Sequence, residues 1–226
     1  MNYQIDAPGS AIRTTVKLPA SKSISNRALI LNALSYSAYD VENLSDCDDT
    51  NLMVKALNSN DRDFNVGAAG TTMRFLTAFL SKVVGEWTIT GTERMKNRPI
   101  KVLVDALNAL GARIEYMEKE GYPPLRIFGS ALQGGEISLP GNVSSQYISA
   151  ILMIAPLTEN GVTLHLEGAI ISRPYIHITL QLMEQYGVRA SWTENTIKVL
   201  PQEYKPIRFT VESDWSAASY WYEIMA

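Results

Sequence analysis

Three short segments of the chain combine small, hydroxyl-bearing and basic or amide residues in patterns suited to anion binding. They are residues 19–27 (PASKSISNR), 67–74 (GAAGTTMR) and 140–146 (PGNVSSQ), and each runs directly into an apolar stretch. The free backbone N–H groups of a helix N-terminus attract phosphate and carboxylate groups, and nearby hydroxyls and cations strengthen that attraction. Three such ends in one chain predict a single anionic ligand that is bound from several sides.

A second repeated pattern supplies the elements that would position these loops. Segment 98–113 resembles segment 173–189, since each begins with Arg-Pro and continues with apolar residues at helical spacing. Gly111 and Gly187 stand where a helix C-cap is expected. A shorter first copy would pair a helix over 22–34 with one from about 49 to 58. The sequence therefore predicts three similar supersecondary units.

Short strands are predicted between the helices, because several segments alternate in polarity or favour β-branched residues. These segments are 87–90, 113–117, 125–128, 136–139, 162–166, 189–192 and 196–200. Each unit is then roughly β-α-β-α-β-β. The helical segments 28–34 and 147–157 are apolar on nearly all sides, which favours burial inside a ring of sheets.

Composition excludes several classes of protein. The net charge of -3 and the lack of a long basic tract argue against a general nucleic-acid or membrane surface. The single cysteine, Cys47, rules out an intrachain disulfide, suits a reducing compartment and is expected to be inert. With only His165 and His177 in the chain, no Cys/His metal cluster is expected. Neither a signal peptide nor a membrane span is predicted, so we expect a cytoplasmic α/β protein.

Five sequence strings carry a resemblance to a known family. KLPASKSISNR, AGTTMR, RMKNRPI, SSQY and SRPY occur in this order with compatible spacing and extend over nearly the whole chain. In these strings the chain resembles the 5-enolpyruvylshikimate-3-phosphate synthases (3-phosphoshikimate 1-carboxyvinyltransferases). The resemblance implies an inside-out α/β barrel domain of the enolpyruvyl transferase type. Such a domain has three β-α-β-α-β-β repeats, with buried helices whose N-termini face a cleft.

The resemblance also implies a division of the chain into domains. Residues 21–212 would form the domain of three repeats, and residues 1–20 would associate with a second domain that is missing here. Residues 213–226 open with a capping candidate, Ser213, and become helical and apolar. They resemble the start of that second domain. We therefore expect the chain to be a fragment of a longer enzyme.

The activity implied by the resemblance is transfer of the enolpyruvyl group of phosphoenolpyruvate to the 5-hydroxyl of shikimate 3-phosphate, with release of phosphate. This step belongs to the shikimate pathway and needs no metal or organic cofactor. The expected partners are these small molecules, without nucleic acid or membrane, and the full-length enzyme is expected to be a cytoplasmic, bacterial monomer. The base and further cations would come from the second domain, so the fragment alone is expected to be inactive.

Carried over position by position, the resemblance assigns a role to each candidate residue. Lys22 would act at the reacting centre, and Ser23 and Arg27 would hold the ring substituents and carboxylate of shikimate 3-phosphate. The full set for shikimate 3-phosphate is Lys22, Ser23, Arg27, Ser144, Ser145, Gln146, Ser172 and Tyr175. The set for phosphoenolpyruvate is Lys22, Gly70, Arg98 and Gln146, in which Gly70 and the guanidinium fork of Arg98 would receive the phosphate.

Taken singly, these residues have plainer interpretations. Serine and threonine before an apolar run are ordinary helix caps, and Arg-Pro is an ordinary helix start. Asp49, Asp105 and Glu184 are expected to be surface charges. Two departures from the family pattern, Ala68 in place of Asn and Phe75 in place of Pro, lie beside Gly70. Both would alter the affinity for phosphoenolpyruvate and for its mimic glyphosate.

Three other functions share parts of this pattern. The enolpyruvyl transferase that acts on UDP-N-acetylglucosamine shares the fold and the donor, but the chain carries the Ser-Lys-Ser…Arg and Ser-Ser-Gln strings and lacks that family's loop cysteine. A non-catalytic anion-binding module would describe a fragment that binds shikimate 3-phosphate weakly. An RNA-binding module is disfavoured by the negative net charge and by the absence of a basic and aromatic stripe.

Overall fold

The computed structural model describes Gln4, Gly9, Ala11 and residues 13–225. Eight α-helices lie in this part of the chain, and a 3-10 turn over Ala155–Leu157 extends the sixth. They are α1 (Lys22–Leu34), α2 (Asp48–Leu57), α3 (Gly70–Lys82), α4 (Glu93–Lys96), α5 (Lys101–Ala109), α6 (Ser145–Ile154), α7 (Arg173–Gln185) and α8 (Trp215–Met225). In the same part of the chain, every helix is too short or too polar to span a bilayer.

Ten strands accompany these helices in the described residues. They are β1 (Val41–Glu42), β2 (Asp63–Asn65), β3 (Gly85–Thr90), β4 (Arg113–Tyr116), β5 (Leu125–Gly129), β6 (Gly135–Pro140), β7 (Val162–Glu167), β8 (Ala190–Thr193), β9 (Thr196–Val199) and β10 (Phe209–Thr210). All seven strands predicted from the sequence are confirmed. β1, β2 and β10 were not predicted, because two or three residues are too few to display an alternating pattern.

The second and third repeats have the same topology. In the second, β2 is parallel to β3, β3 is antiparallel to β5, and β5 is antiparallel to β4. In the third, β6, β7, β9 and β8 follow the same order and directions. Each of these repeats is therefore a β-α-β-α-β-β unit, as predicted.

The first repeat is shorter than the others. It contains α1, β1 and α2, and its two-stranded sheet is completed by β10, which comes from the far end of the chain and runs parallel to β1. Residues 58–62 lead straight from α2 into the vicinity of β2, so the described chain has no antiparallel strand pair here. The expected short first copy is confirmed, with its helices close to the predicted bounds.

The central helices are buried on nearly every side; α6 is largely apolar, whereas α3 also buries threonine hydroxyls that donate to backbone carbonyls. All of α6 except Gln146 is buried, and α3 is buried from Gly70 to Ala78. These two helices pack against each other, and α1 packs against both. On the outer helices, Gly111 and Gly187 follow the C-caps of α5 and α7 with φ angles of +98° and +88°, where a side chain would be strained.

The chain enters and leaves the repeats at one place. Ala20 and Ser213 form an antiparallel bridge, and the N–H of Asp214 donates to the carbonyl of Pro19 at 2.8 Å. The carboxylate of Asp214 accepts a hydrogen bond from the N–H of Ser216 at 2.8 Å. Asp214 therefore caps α8, and the expectation that Ser213 does so was wrong. The domain boundaries at residues 20 and 213 stay a prediction.

Candidate functional site

The N-termini of α1, α3 and α6 are joined by a chain of polar contacts. The Lys22 ammonium lies 3.0 Å from the Asp49 carboxylate, which in turn accepts a hydrogen bond from the N–H of Thr71 at 2.8 Å. The side-chain amide of Gln146 then donates to the hydroxyl of Thr71 at 3.1 Å. Segments 19–27, 67–74 and 140–146 therefore lie side by side, as expected for one site built from three loops.

Asp49 was expected to be a surface charge, and that expectation was wrong. Its side chain is only 16% exposed, while Lys22 is 45% exposed. Burial alone would raise the pKa of Asp49, but the hydrogen bonds and charge of Lys22 and the N–H of Thr71 outweigh it and lower the pKa. The carboxylate therefore stays ionised at neutral pH. The sequence signal for Asp49 is its position in the first turn of α2, since the corresponding helices of the later repeats follow or begin with Arg-Pro instead.

Two guanidinium groups converge on Gly70, the first residue of α3. A Cβ atom at Gly70 would lie 2.4 Å from Nη1 of Arg98 and 2.7 Å from Nη1 of Arg74. Arg98 also donates to the carbonyl of Ala68 at 3.4 Å, and Arg74 donates to the carbonyl of Gly70 at 2.9 Å. Only glycine leaves this space open. We call Gly70, Arg74 and Arg98 the Gly70 cluster.

Arg74 was not among the candidate residues, although it stands one helical turn after Gly70. It is 5% exposed, and its Nε atom has no hydrogen-bond partner among the described residues. Burial and, more weakly, the charge of Arg98 lower the pKa of Arg74, while Tyr147 opposes the shift. Two adjacent like charges beside the positive end of a helix favour a ligand with more than one negative charge.

Tyr147 holds both arginines in place. Its ring lies 5.8 Å from the guanidinium carbon of Arg74, and its hydroxyl donates to the carbonyl of Pro99 at 2.7 Å. Pro99 directly follows Arg98, so this hydrogen bond fixes the backbone from which Arg98 extends. The third repeat thus orients the cations of the second. Sequence reasoning assigned Tyr147 to an apolar helix and gave no signal for this contact.

Arg27 is more deeply buried than the two arginines of the Gly70 cluster. Only 2% of its surface is exposed. Its guanidinium donates to the Thr179 hydroxyl at 2.7 Å, the Ser149 hydroxyl at 2.9 Å and the Ser23 carbonyl at 2.8 Å. The Ser149 and Thr179 hydroxyls are themselves 2.8 Å apart. We call Arg27, Ser149 and Thr179 the Arg27 cluster. It connects α1, α6 and α7 through the interior.

The environment of Arg27 is that of a structural cation. Burial lowers its pKa to about 10, and the electrostatic effect of Tyr175 offsets part of that shift. Arg27 therefore remains charged at neutral pH. Its guanidinium also lies 5.4 Å from the ring centre of Phe75, which is completely buried. Phe75 thus packs against Arg27, and a contact between Arg27 and a ligand carboxylate stays a prediction.

The serines of the third repeat lie where two adjoining loops lead into α6 and α7. We call the segments that carry Ser144, Ser145 and Ser172 the serine loops. Ser144 caps α6 by accepting a hydrogen bond from the N–H of Gln146 at 3.3 Å, and Ser145 is 9% exposed. The loop before α7 is attached to this region by the N–H of Ile171, which donates to the carbonyl of Gly141 at 3.4 Å. Ser172 is the N-cap residue of α7. Hydroxyls and backbone N–H groups on two helix starts suit a phosphate.

The remaining candidates differ in accessibility. Tyr175, in the first turn of α7, is 44% exposed, and its carbonyl accepts a hydrogen bond from the Thr179 hydroxyl at 2.9 Å. Ser23 and Lys22 are half-buried. The structure thus brings Lys22, Gly70 and Gln146 together around Thr71 and Asp49, while Arg27 lies inside the protein. Two candidate anion-binding areas result, one at the Gly70 cluster and one at the serine loops.

Comparison with protein families gives one match over almost the entire chain. The model of the family described as EPSP synthase (3-phosphoshikimate 1-carboxyvinyltransferase) matches residues 7–59 and 57–226. A relative from Bacteroides fragilis (strain YCH46), named 3-phosphoshikimate 1-carboxyvinyltransferase, is 61% identical over 227 residues, which are 100% of this chain and 55% of that protein. A relative of the same name from Vibrio campbellii is 43% identical over 242 residues, with 94% of this chain and 57% of that protein covered.

The solved structure of an EPSP synthase from Acinetobacter baumannii has a similar fold. Its TM-score is 0.80 at 21% sequence identity, and the match covers 91% of this chain and 51% of that one. The predicted fold class is thereby confirmed. The chain spans about half the length of the relatives that it matches.

Proposed function

Because the chain belongs to the EPSP synthase (3-phosphoshikimate 1-carboxyvinyltransferase) family, we propose that it supplies one side of the active site for enolpyruvyl transfer. The substrates are phosphoenolpyruvate and shikimate 3-phosphate, and the products are 5-enolpyruvylshikimate 3-phosphate and phosphate. The observation that carries the proposal is the meeting of three helix N-termini around Lys22, Thr71 and Gln146, with two guanidinium groups converging on Gly70.

The Gly70 cluster is proposed to bind the phosphate of phosphoenolpyruvate. The positive end of α3, the fork of Arg98 and the buried charge of Arg74 all face the space above Gly70. A phosphate dianion neutralises both guanidinium groups, and the absence of a Cβ atom lets it approach the helix closely. Gln146 lies within one hydrogen bond of Thr71 and is proposed to contact both substrates.

The serine loops are proposed to bind the 3-phosphate of shikimate 3-phosphate. Ser144, Ser145 and Ser172 stand at the starts of α6 and α7, where hydroxyls and backbone N–H groups can donate to phosphate oxygens. The exposed Tyr175 would line the shikimate side, and Ser23 would contact the ring substituents. Arg27 would reach the carboxylate only if a donor of its guanidinium becomes accessible from the site.

The reaction would proceed by addition and elimination. A proton adds to the methylene carbon of phosphoenolpyruvate, and the 5-hydroxyl oxygen bonds to the adjacent carbon while losing its own proton. The resulting tetrahedral intermediate then loses phosphate from that carbon and a proton from the new methyl group, which restores the double bond. Lys22 is proposed to stabilise the bridging oxygen or to move a proton, and the cations stabilise the charge on the phosphate.

The other half of the site is proposed to lie in the segment that the relatives carry beyond this chain's length. That half would supply the base and further cations, so the chain alone should bind substrate without turnover. We further propose that the full-length enzyme is a monomer in the cytoplasm. The single cysteine is consistent with a reducing compartment.

Calorimetric titration of the chain tests the proposal. Shikimate 3-phosphate, phosphoenolpyruvate and UDP-N-acetylglucosamine would be titrated into the parent and into Ser145→Ala, which removes one hydroxyl at the serine loops. We expect binding of shikimate 3-phosphate that weakens about tenfold in the variant. Binding of UDP-N-acetylglucosamine instead would indicate the related transferase. Phosphate release by the purified chain alone would contradict the proposed division of the site.

A further inference from the structure

We propose that Asp49 is a positioning residue that holds the Lys22 ammonium against the N-terminus of α3. The inference rests on the function proposed above for Lys22 and adds a residue to that site. Asp49 comes from α2, which carries none of the candidate residues, and it contacts the starts of both α1 and α3. It is therefore the contribution of the second helix of the first repeat to the site.

The carboxylate of Asp49 is fixed from two directions. One oxygen lies 3.0 Å from Nζ of Lys22, and the other accepts the N–H of Thr71 at 2.8 Å. The backbone carbonyl of Asp49 also accepts the hydroxyl of Thr72 at 2.6 Å. Because α3 is buried from its first residue, the hydrogen bonds from Thr71 and Thr72 attach Asp49 to a rigid part of the fold.

A fixed carboxylate partner orders the side chain of Lys22 more than it would order Arg74 or Arg98. Its side chain is 45% exposed and has four rotatable bonds, so a free ammonium would sample many positions. The ion pair with Asp49 selects the Lys22 rotamers that reach the carboxylate bonded to the N–H of Thr71, the residue that follows Gly70. A cation held beside the Gly70 cluster can meet a ligand without first being ordered.

The charge of Asp49 is otherwise unfavourable for this site. Arg98-Pro99 lies just before α5 and Arg173-Pro174 begins α7, whereas α2 begins with Asp48-Asp49. A carboxylate near two guanidinium groups repels an anionic ligand and reduces their effect. The benefit to ligand binding from fixing the Lys22 ammonium must therefore exceed this repulsion.

The two possible roles of Asp49 predict opposite effects of Asp49→Asn. The variant removes one negative charge while it keeps the size of the side chain and an oxygen that can accept the N–H of Thr71. A residue that acts only by its charge would give tighter anion binding when neutralised. A positioning residue gives weaker binding in spite of the added positive charge. Asp48→Asn is the matched control, since it removes the same charge from an exposed neighbour in the same helical turn.

The first measurement needs no ligand. In the chain labelled with ¹⁵N-lysine, we expect the Lys22 ammonium signal to be protected from exchange in the parent and in Asp48→Asn, and to broaden in Asp49→Asn. The Thr71 amide should remain protected in Asp49→Asn, because an acceptor oxygen is retained, and lose protection in Asp49→Ala. An ammonium signal that is unchanged in Asp49→Asn would overturn the proposal.

The second measurement is steady-state kinetics of the full-length protein that carries this chain. We expect Asp49→Asn to lower kcat/KM for phosphoenolpyruvate about tenfold or more, with KM for shikimate 3-phosphate nearly unchanged. Asp48→Asn should match the parent. Equal or tighter phosphoenolpyruvate binding in Asp49→Asn would refute the positioning role. A parent without any activity would refute the proposed function instead, and the ammonium signal would still decide whether Asp49 positions Lys22.

Discussion

The Arg27 cluster and the Gly70 cluster both place guanidinium groups near helix N-termini, but they leave those groups in opposite situations. Arg27 is 2% exposed and donates to two hydroxyls and a carbonyl within 3 Å. In the Gly70 cluster, Arg98 is half-buried, Arg74 retains an unpartnered Nε atom, and both approach a glycine with no side chain to meet them. The first cluster is hydrogen-bonded by the protein, and the second is the one that we propose binds a ligand.

The difference follows from what surrounds each group. Ser149 and Thr179 lie on α6 and α7 and provide hydroxyl oxygens for Arg27, so burial of its charge is compensated by hydrogen bonds. Around Gly70 the nearby charges are mostly of one sign, and a ligand would supply the opposite one. Arg27, although it belongs to a predicted binding motif, is therefore hydrogen-bonded within the fold.

The largest effect is expected for Arg27→Ala, which should destabilise the fold. The change leaves the hydroxyls of Ser149 and Thr179 without their charged donor and opens space beside Phe75. We expect the free energy of unfolding to fall by about 3 kcal/mol. Urea denaturation followed by circular dichroism would measure it.

Arg98→Ala is the matched control for Arg27→Ala, because it removes the same kind of side chain from a half-buried position in the Gly70 cluster. Its free energy of unfolding should change by less than about 1 kcal/mol. Equal urea midpoints for the two variants would contradict the distinction between a structural and a ligand-binding arginine.

The second effect is on binding, through Gly70→Ala. The added Cβ atom would come within 2.4 Å of Nη1 of Arg98 and 2.7 Å of Nη1 of Arg74, so both guanidinium groups must move. We expect the affinity for phosphoenolpyruvate to fall about tenfold or more, while shikimate 3-phosphate binds as before. Calorimetry with each ligand measures both, and a parallel loss for the two ligands would contradict a role confined to the phosphate.

A smaller effect is expected for Arg98→Lys. Lysine keeps the charge but loses the planar fork, so it cannot donate two parallel hydrogen bonds to a phosphate. The affinity for phosphoenolpyruvate should fall several-fold, by less than in Gly70→Ala. Stability should stay close to that of the parent. A variant as weak as Gly70→Ala would mean that the geometry of Arg98, rather than access to Gly70, limits binding.

The sequence predicted the repeats well, because helical spacing, Arg-Pro pairs at or just before a helix and terminal glycines are local signals. The joining of the three loops also followed from their recurrence. Contacts between repeats could not be predicted: Tyr147 orients Arg98 through Pro99, and Arg27 meets Thr179 across 152 positions of sequence. The type of a charged residue does not reveal whether another residue of the protein pairs with it. Asp49 is an example, because it was expected to be a surface charge and instead pairs with Lys22.

The smallest expected effect is the pH dependence that Asp49, beside the Gly70 cluster, gives to the stability of the fold. The pKa of Asp49 is lowered in the fold, so its contribution to stability is present above the unfolded value of about 3.9 and is lost as the pH falls through the folded value. The parent should therefore lose more stability than Asp49→Asn between pH 5 and pH 3, roughly the range set by these values. Thermal unfolding over that range measures this, and parallel curves would mean that Asp49 gains no net stabilisation from Lys22 and Thr71.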